Sequence, residues 1–258
     1  MELSSILQGV AEGQITVHQA LELLKNWQAE PVSDYALVDQ QRLARTGIPE
    51  VVLGLGKTPK QIAEILQKIH DRSQQLALAT KITPAVFEEM QSLLVSPQLH
   101  FFPTAGICCL GTPPPTRPAP IAIVTAGTGD IPIAEEAAVT LTLSGFVPQK
   151  LWDVGVAGIH RLLSRLDVLR SADIIIVVAG MEGALPSVVA GLVNSPVIAV
   201  PTSIGYGAHL GGITPLLAMV DACASGVCVV NIDNGFGSAV VALKFLLRSL
   251  YKTIDRSP

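Results

Sequence analysis

The chain has 258 residues, of which 49% are hydrophobic, 15% are charged and 4% are aromatic. This composition is typical of a globular protein and excludes a disordered or fibrous chain. The length allows one large or two ordinary domains without a disulfide or metal to stabilise them. The formal net charge of -4 lacks the positive excess that binding to many phosphates requires, so we expect no nucleic acid partner.

A mean hydropathy of +0.49 raises the question of a membrane span. Residues 183–220 carry no charged side chain, but prolines and glycines interrupt every apolar run, so the stretch predicts buried core and not a membrane helix. Residues 1–10 do not have the pattern of a secretory signal. The four cysteines form no CxxC pair, which argues against a zinc site or a disulfide framework. We therefore expect a cytoplasmic chain with free thiols and no membrane partner.

The first 118 residues predict a smaller, mostly helical N-terminal domain. Apolar residues have helical spacing in residues 6–10 and 17–27, with Thr16 placed to cap the second helix. Another helix is predicted to begin at Thr58-Pro59, where Thr is the cap and Pro takes the first helical position. The domain ends in a linker, because residues 111–120 contain five prolines. This predicts domains of residues 1–118 and 119–258.

The second domain shows short β-branched runs that alternate with helical stretches. Five runs begin at Ile121, Lys150, Ala172, Pro196 and Val227, and each is followed by a candidate helix. Apolar strands with helices between them indicate a parallel sheet covered on both faces. Five such units are too few for an eight-stranded barrel, so we expect an α/β fold with a five-stranded, parallel, doubly wound sheet of the flavodoxin-like type. Ligands bind beyond the carboxyl ends of the strands in such a sheet, so candidate residues are sought there.

Polar residues follow the first two predicted strands. A glycine-rich turn with Thr128 and Asp130 comes first and opens a helix, where backbone N–H groups can hold a phosphate. Its glycine spacing does not fit the dinucleotide fingerprint, and a tight turn without a ligand explains it equally well. The pair His160-Arg161 follows the second strand and suits phosphate recognition or a metal. A capping or surface role for this pair is an equal alternative.

Glu182 follows the third predicted strand, directly after Gly180 and Met181. No Lys or Arg occurs in residues 171–243, so desolvation is expected to raise the pKa of this carboxyl and to suit it to general acid-base work. The alternative is an exposed glutamate that caps the next helix. The acids of this stretch are Asp173, Glu182, Asp221 and Asp233.

The last two strand ends add a second group of candidates. Ser203 and Gly205 lie in a long polar loop after the fourth strand, as expected of a substrate loop, although an ordinary loop has the same composition. Asp233, Asn234 and Gly235 follow the fifth strand.

Two cysteines flank the start of the fifth strand. Cys228 lies inside the apolar run and is expected to be a core residue. Cys223 lies near a helix C-terminus, where the helix dipole does not lower the pKa of a thiol. Spacing alone therefore favours a structural role for Cys223.

Several stretches resemble the LarB family of nickel-pincer cofactor biosynthesis proteins, whose C-terminal half is similar to phosphoribosylaminoimidazole carboxylase of purine synthesis. In the second domain they are TAGTGDIPIAEEA, DVGVAGIHRL, VAGMEGALPSVVAG, PVIAVPTSIGYG and CASGVCVVNIDNGFG. In the first domain, residues 39–58, DQQRLARTGIPEVVLGLGKT, resemble the family's Arg-rich segment. The resemblance covers most of the chain.

The resemblance implies a carboxylase and hydrolase. Its substrates would be nicotinic acid adenine dinucleotide and CO2, and its products pyridinium-3,5-biscarboxylic acid mononucleotide and AMP. Cys223 would add to C4 of the pyridinium ring, which makes C5 nucleophilic toward CO2, and Glu182 would then remove the C5 proton. No organic cofactor is implied.

The resemblance also implies how the phosphates are neutralised. Cleavage between two phosphates calls for Mg²⁺, with Asp130 and Asp233 as candidate ligands, and for cationic side chains. Analogy with the family suggests that the first domain supplies further positive charge from Arg42, Arg45 and Lys57.

The apolar, charge-poor second domain predicts a homo-oligomer, and related sheet enzymes assemble as octamers. Two other functions stay open. One is a carboxylase or mutase reaction on aminoimidazole ribonucleotide, and the other is that of a non-catalytic nucleotide-binding module.

Overall fold

A computed structural model of the chain describes residues 3–25, 30–39, 41–73 and 76–254. These residues form two compact units. The first takes the described part of residues 1–79 together with Ala85–His100 and Cys109–Thr112. The second takes Thr80–Pro84, Phe101–Cys108 and the described residues from Pro113 onward. The domain boundary between residues 118 and 119 stays a prediction.

The helices of the N-terminal half begin at capping residues that the sequence pattern indicated. Thr16 Oγ1 accepts a hydrogen bond from the Gln19 N–H, and the Gln19 side chain accepts one from the Thr16 N–H. Thr58 and Gln61 form the same reciprocal pair. These capping boxes confirm the predicted starts of two helices, whereas Trp27 lies outside the described residues. The helices are α1 Leu3–Ala11, α2 Val17–Lys25, α3 Arg42–Thr46, α4 Pro59–Ser73 and α5 Pro84–Leu93.

Short strands accompany these helices. An antiparallel pair contains β1 Glu30–Val32 and β2 Ala36–Val38. A four-stranded sheet has the order β3-β4-β6-β5. Its strands are β3 Val51–Leu53, β4 Ala77–Thr80, β5 Leu99–Phe102 and β6 Ile107–Leu110. Strands of three or four residues are too short to show an alternating apolar pattern, so the sequence pattern does not predict them.

The second unit is built on one parallel sheet with the order β11-β10-β9-β7-β8. The strands are β7 Arg117–Thr125, β8 Phe146–Leu151, β9 Ile174–Ala179, β10 Val197–Pro201 and β11 Val227–Val229. Numbered along the second unit, the strand order is 2-1-3-4-5, which is that of flavodoxin-like folds. The structure therefore confirms the predicted fold class.

Helices cover both faces of this sheet. Ile175 and Val177 of β9 are buried in one cluster with Leu162, Leu185 and Val189 from the helices that follow β8 and β9. Intervening β9 residues face the opposite side, where the first and last helices of the unit pack against each other. The helices are α6 Ile131–Leu143, α7 Ile159–Leu163, α8 Leu166–Ser171, α9 Leu185–Ala190, α10 Ile213–Val220 and α11 Gly235–Ile254. Within the described part of the chain, no helix combines the length and apolar character needed to cross a bilayer.

Three details of the strand predictions were wrong. The first strand begins at Arg117, four residues before Ile121, so it includes the last residues of the predicted linker. The other two errors are at edge strands. The second strand begins at Phe146, and Lys150 lies near its end. Its side chains alternate between buried and exposed instead of being apolar on both faces, so its start was missed. Cys228 is exposed in the single chain and not a core residue, because β11 is the other edge strand.

Candidate active site

A cleft of about 240 Å³ opens at the carboxyl ends of β7 and β9. The chain continues from β7 to β8 on one side and returns to β9 on the other, so this is the point where the strand order reverses. Ligands bind at such a switch point in open α/β sheets. Five predicted site residues line the cleft, namely Asp130, Arg161, Gly180, Met181 and Glu182.

Asp130 is a buried carboxyl in this cleft, with 4% of the residue exposed. Its Oδ1 accepts a hydrogen bond of 2.7 Å from the Thr202 hydroxyl, and its Oδ2 accepts one of 2.9 Å from the Gly127 N–H. Burial raises the pKa of Asp130, and the nearby Asp233 adds to that effect, although the hydrogen bonds act in the opposite direction. A carboxyl in these surroundings is suited to holding or exchanging a proton.

Gly180 allows two loops to meet at the end of β9. A Cβ at this position would lie 2.1 Å from the Ile204 carbonyl oxygen and 2.7 Å from Thr202 Oγ1. The next residue, Met181, donates its N–H to the same Ile204 oxygen and has a positive φ of 50°. Such a backbone conformation is strained for a residue other than glycine, and it turns the chain outward just before Glu182.

Glu182 is exposed at the cleft in the single chain. The expectation that burial would desolvate it was therefore wrong for one chain, since the turn at Met181 directs the following residue toward solvent. Asp130 and Glu136 are buried carboxyls of the same unit, and burial raises the pKa of each.

Arg161 brings positive charge to the cleft. Its Nη1 lies 2.7 Å from Asp153 Oδ2, and its side chain is 37% exposed. His160 is exposed beside it and is not among the residues that line the cleft. Thr128 is also exposed, while its neighbour Gly127 lines the cleft. The structure thus separates Arg161 from the other two candidates.

Asp233 lies at the carboxyl end of β11. Its Oδ1 accepts a hydrogen bond of 2.8 Å from the Ser203 N–H, and its own N–H donates to the Pro201 oxygen. These bonds bring Asp233 and Ser203 together, as the strand order predicts. Gly205 packs against a buried histidine, His209, whose ring carbon would lie 2.4 Å from a Cβ at that glycine.

Asn234 and Gly235 have structural roles in the single chain. Asn234 Oδ1 accepts a 2.7 Å hydrogen bond from the Gly237 N–H in the first turn of α11. A Cβ at Gly235 would lie 2.1 Å from the Ile133 oxygen, so glycine permits α6 and α11 to approach closely.

Three further polar residues at this edge of the sheet were missed. Thr202 binds Asp130, and Lys81 forms an ion pair of 2.8 Å with Glu136. Glu136 is 1% exposed in the middle of α6. Glu136 lies next to Glu135 and is followed by two alanines in α6, so only its place on the buried face of that helix could have indicated it, whereas no local pattern pointed to Lys81.

Cys223 lies near the amino-terminal ends of the parallel strands, whereas Glu182 lies beyond their carboxyl ends. Cys223 is exposed in the turn between α10 and β11, and the Gly226 oxygen at the end of that turn accepts a hydrogen bond from the N–H of the first β10 residue. Strand β10 has five residues, so at about 3.3 Å per residue its two ends are about 16 Å apart. One chain therefore does not bring Cys223 and Glu182 together.

The three candidate cations of the first unit have partners within that unit. Arg42 pairs with Glu50 at 3.6 Å, and Arg45 pairs with Asp39. Lys57 donates a hydrogen bond to the carbonyl oxygen of β3 residue 53. Their role toward a substrate stays a prediction.

Asp233 lies close enough to Asp130 for its charge to contribute to the raised pKa of Asp130. The described residues contain no group of three or more His, Cys, Asp or Glu placed to hold a metal ion. Two carboxylates nevertheless suit Mg²⁺, which often binds through one or two carboxylates and completes its coordination with water and substrate phosphates.

The sheet order defines a flavodoxin-like α/β protein, with a candidate ligand cleft at the carboxyl ends of its strands. Residues 120–255 match the family AIR carboxylase, and residues 30–112 match the LarB/PurE-like N-terminal domain. The chain belongs to the AIR carboxylase family, and the two matches together confirm its resemblance to the LarB family. This membership supports a carboxylase or mutase type of enzyme.

Relatives match either the whole chain or its second half. An uncharacterised protein of Methanocaldococcus jannaschii is 40% identical over 260 residues, which cover 93% of this chain and 95% of that protein. The N5-carboxyaminoimidazole ribonucleotide mutase of the same organism is 36% identical over 130 residues, which cover 49% of this chain and 78% of the mutase. The mutase of that name from Pyrococcus horikoshii is 33% identical, with 49% of this chain and 71% of the mutase covered.

The raised pKa of Asp130 predicts a pH-dependent cost of replacing it. The folded state binds a proton at Asp130 more tightly than the unfolded state does. Ionisation of Asp130 therefore lowers stability as the pH rises above about 3.9, the pKa of an aspartate in the unfolded chain. Asn cannot ionise. Asp130→Asn should therefore reduce the free energy of unfolding more near pH 4 than near pH 7, as measured by urea denaturation.

Asp167→Asn, at an exposed carboxyl on α8, is the matched control. The change in mutational cost between the two pH values should be larger at Asp130 than at Asp167. A cost at Asp130 that is equal at both pH values, or greater near pH 7, would contradict the assignment.

Proposed function

We propose that the protein carboxylates C5 of the pyridinium ring in nicotinic acid adenine dinucleotide and hydrolyses the phosphoanhydride, with water as the nucleophile at phosphorus. The products are pyridinium-3,5-biscarboxylic acid mononucleotide, a precursor of the nickel-pincer nucleotide, and AMP. One observation carries the proposal: an AIR carboxylase unit and a LarB/PurE-like N-terminal domain occur in the same chain.

The proposed role of Cys223 follows from the electron demand of the ring. A pyridinium ring is electron-poor and does not attack CO2. Addition of the Cys223 thiolate at C4 converts the cation into a neutral dihydropyridine, whose C5 is an enamine carbon that forms the new bond to CO2. The exposure of Cys223 in the single chain is compatible with access to a substrate.

Glu182 completes the exchange at C5. After CO2 has added, its carboxylate accepts the C5 proton, and the electron pair of the C–H bond restores the ring enamine. The C–S bond at C4 then breaks, the thiolate leaves and the aromatic pyridinium returns. The position of Glu182 in the cleft at the strand switch point supports this role.

The phosphates of the dinucleotide need positive charge. Arg161 supplies it at the cleft. Mg²⁺, when held by Asp130 and Asp233, would neutralise charge as the bond between the two phosphates breaks. Arg42, Arg45 and Lys57 remain candidates to contact the anionic groups of the substrate.

Cooperation between Cys223 and Glu182 requires more than one copy of the chain. Within one chain the two residues lie at opposite ends of the parallel strands, so Cys223 of one copy would meet Glu182 of another. Exposed apolar side chains occur along the chain between β10 and Cys223, as expected of a surface that a second copy covers. They include Tyr206, Leu210, Ile213, Leu217 and Val220. A closed homo-oligomer, an octamer by analogy with related enzymes, is therefore part of the proposal.

A second candidate is a carboxylase or mutase reaction on aminoimidazole ribonucleotide. The identity of 36% and 33% to two N5-carboxyaminoimidazole ribonucleotide mutases favours it. Those relatives cover only the second half of this chain, which leaves residues 30–112 without a role in that reaction.

The function is tested by incubating the protein with nicotinic acid adenine dinucleotide, bicarbonate and Mg²⁺ and analysing the products by mass spectrometry. Wild-type protein should form the biscarboxylated mononucleotide and AMP. Cys223→Ala should abolish ring carboxylation. Cys228→Ala, at an exposed position on an edge strand, should retain it and change stability by about 0.5 kcal/mol or less.

Equal loss of activity in the two folded cysteine variants would remove Cys223 from the mechanism. If the dinucleotide is unchanged while aminoimidazole ribonucleotide is consumed, the second candidate is correct. If the dinucleotide binds and neither compound is converted, the protein is a binding module.

Glu182→Gln should separate addition from rearomatisation. The amide has the size and hydrogen-bonding capacity of the glutamate but cannot accept the C5 proton. A covalent Cys223 adduct should therefore accumulate and be visible in the intact-protein mass after mixing with substrate. Turnover of Glu182→Gln at the wild-type rate would exclude Glu182 as the base.

Mixing two inactive variants tests the shared site. In a mixed oligomer, Cys223 from the Glu182→Gln copy can meet Glu182 from the Cys223→Ala copy. Random mixing should restore about a quarter of the wild-type activity if two copies share each site. Light scattering should show a mass above that of the monomer. A monomer, or a mixture no more active than its components, would contradict the shared site.

A further inference from the structure

We propose that Lys81 is a positioning residue that fixes the turn carrying Asp233. Its Nζ donates hydrogen bonds to Glu136 Oε2 at 2.8 Å and to the Asp233 carbonyl oxygen at 2.7 Å. The residue comes from the short segment Thr80–Pro84, which belongs to the second unit although it precedes the parallel sheet in sequence. One ammonium group therefore joins a buried helix residue to the backbone at the end of β11.

The backbone around Lys81 holds the side chain in place. Lys81 has a positive φ of 59°, a strained conformation for a residue other than glycine. The adjacent Ile82 is buried and donates its N–H to the Gly106 oxygen at 2.8 Å. These contacts support a conformation that an exposed, unconstrained lysine would not adopt.

Glu136 explains part of the need for Lys81. Its carboxyl is almost fully buried, and burial raises its pKa, while the charge and hydrogen bond of Lys81 and the N–H groups of Gly235 and Phe236 oppose that effect. A charged carboxylate left without its cation in such a place would destabilise the fold. If this were the whole role of Lys81, removing both charges together would remove the need for it.

The bond to the Asp233 carbonyl gives Lys81 a second role. Asp233 also has a positive φ, of 55°. Lys81 holds its carbonyl oxygen, while its Oδ1 accepts the Ser203 N–H and its own N–H binds the Pro201 oxygen. Loss of the Lys81 bond should release this turn and with it the carboxylate that faces Ser203.

A double variant separates the two roles. Lys81→Met keeps an unbranched side chain but removes the ammonium group, and Glu136→Gln removes the buried negative charge. Lys81→Met should lower the melting temperature, and Lys81→Met/Glu136→Gln should recover most of that loss. Glu136→Gln alone is the matched control, because it keeps Lys81 and the bond to the Asp233 oxygen.

Hydrogen exchange of the Ser203 and Asp233 amides reports the turn without any substrate. Both amides should exchange about tenfold faster in Lys81→Met and in the double variant than in wild-type protein. In Glu136→Gln they should exchange as slowly as in wild type. A double variant that regains both stability and slow exchange would show that Lys81 only neutralises Glu136, and would overturn the proposal.

The catalytic consequence rests on the proposed function. If Asp233 serves that reaction, kcat/KM for the dinucleotide should fall by about tenfold in the stable double variant, in step with the faster exchange. An inactive wild-type protein would refute the proposed function, whereas the exchange data would still decide the role of Lys81. Fast exchange with unchanged kcat/KM would limit Lys81 to holding the turn.

Discussion

Close approach of loop backbones at the carboxyl edge of the parallel sheet is the constraint on which the site depends. The loops after β9 and β10 meet because residue 180 has no Cβ, which would otherwise lie 2.1 Å from the Ile204 oxygen. That approach brings Thr202 within 2.7 Å of Asp130 and lets Met181 bind the Ile204 oxygen. The hydrogen bond between Thr202 and the buried carboxyl and the turn before Glu182 both depend on this contact.

Charge is scarce in the second unit, so each buried carboxyl has specific partners. Asp130 accepts hydrogen bonds from a hydroxyl and a backbone N–H, whereas Glu136 is paired with Lys81. Both have a raised pKa because burial outweighs these partners. The two buried carboxyls lie in different places. Asp130 lies in the cleft, whereas Glu136 and its partner Lys81 connect α6 to the turn after β11.

The sheet also imposes a limit on catalysis by one copy. In a parallel sheet the turns before the strands lie at one end of the sheet and the turns after them at the other end. Cys223 precedes β11, whereas Glu182 follows β9. The proposed reaction needs a nucleophile and a base on the same ring, so it depends on assembly. An AIR carboxylase unit in which the thiol and the carboxylate come from different copies would gain ring carboxylation only as an oligomer.

The amino-acid sequence by itself determined the fold class, the two capped helices of the first unit and five residues of the cleft. Periodic apolar runs and capping residues are local patterns, and the carboxyl ends of parallel strands converge whatever the loops contain. The tertiary structure alone decided the burial of Glu136, its pairing with Lys81 55 positions away and the exposure of Glu182 and Cys228. It also placed Cys223 and Glu182 at opposite ends of the parallel strands. Burial and long-range pairing depend on which elements become neighbours and which strand lies at an edge, and no local spacing carries that information.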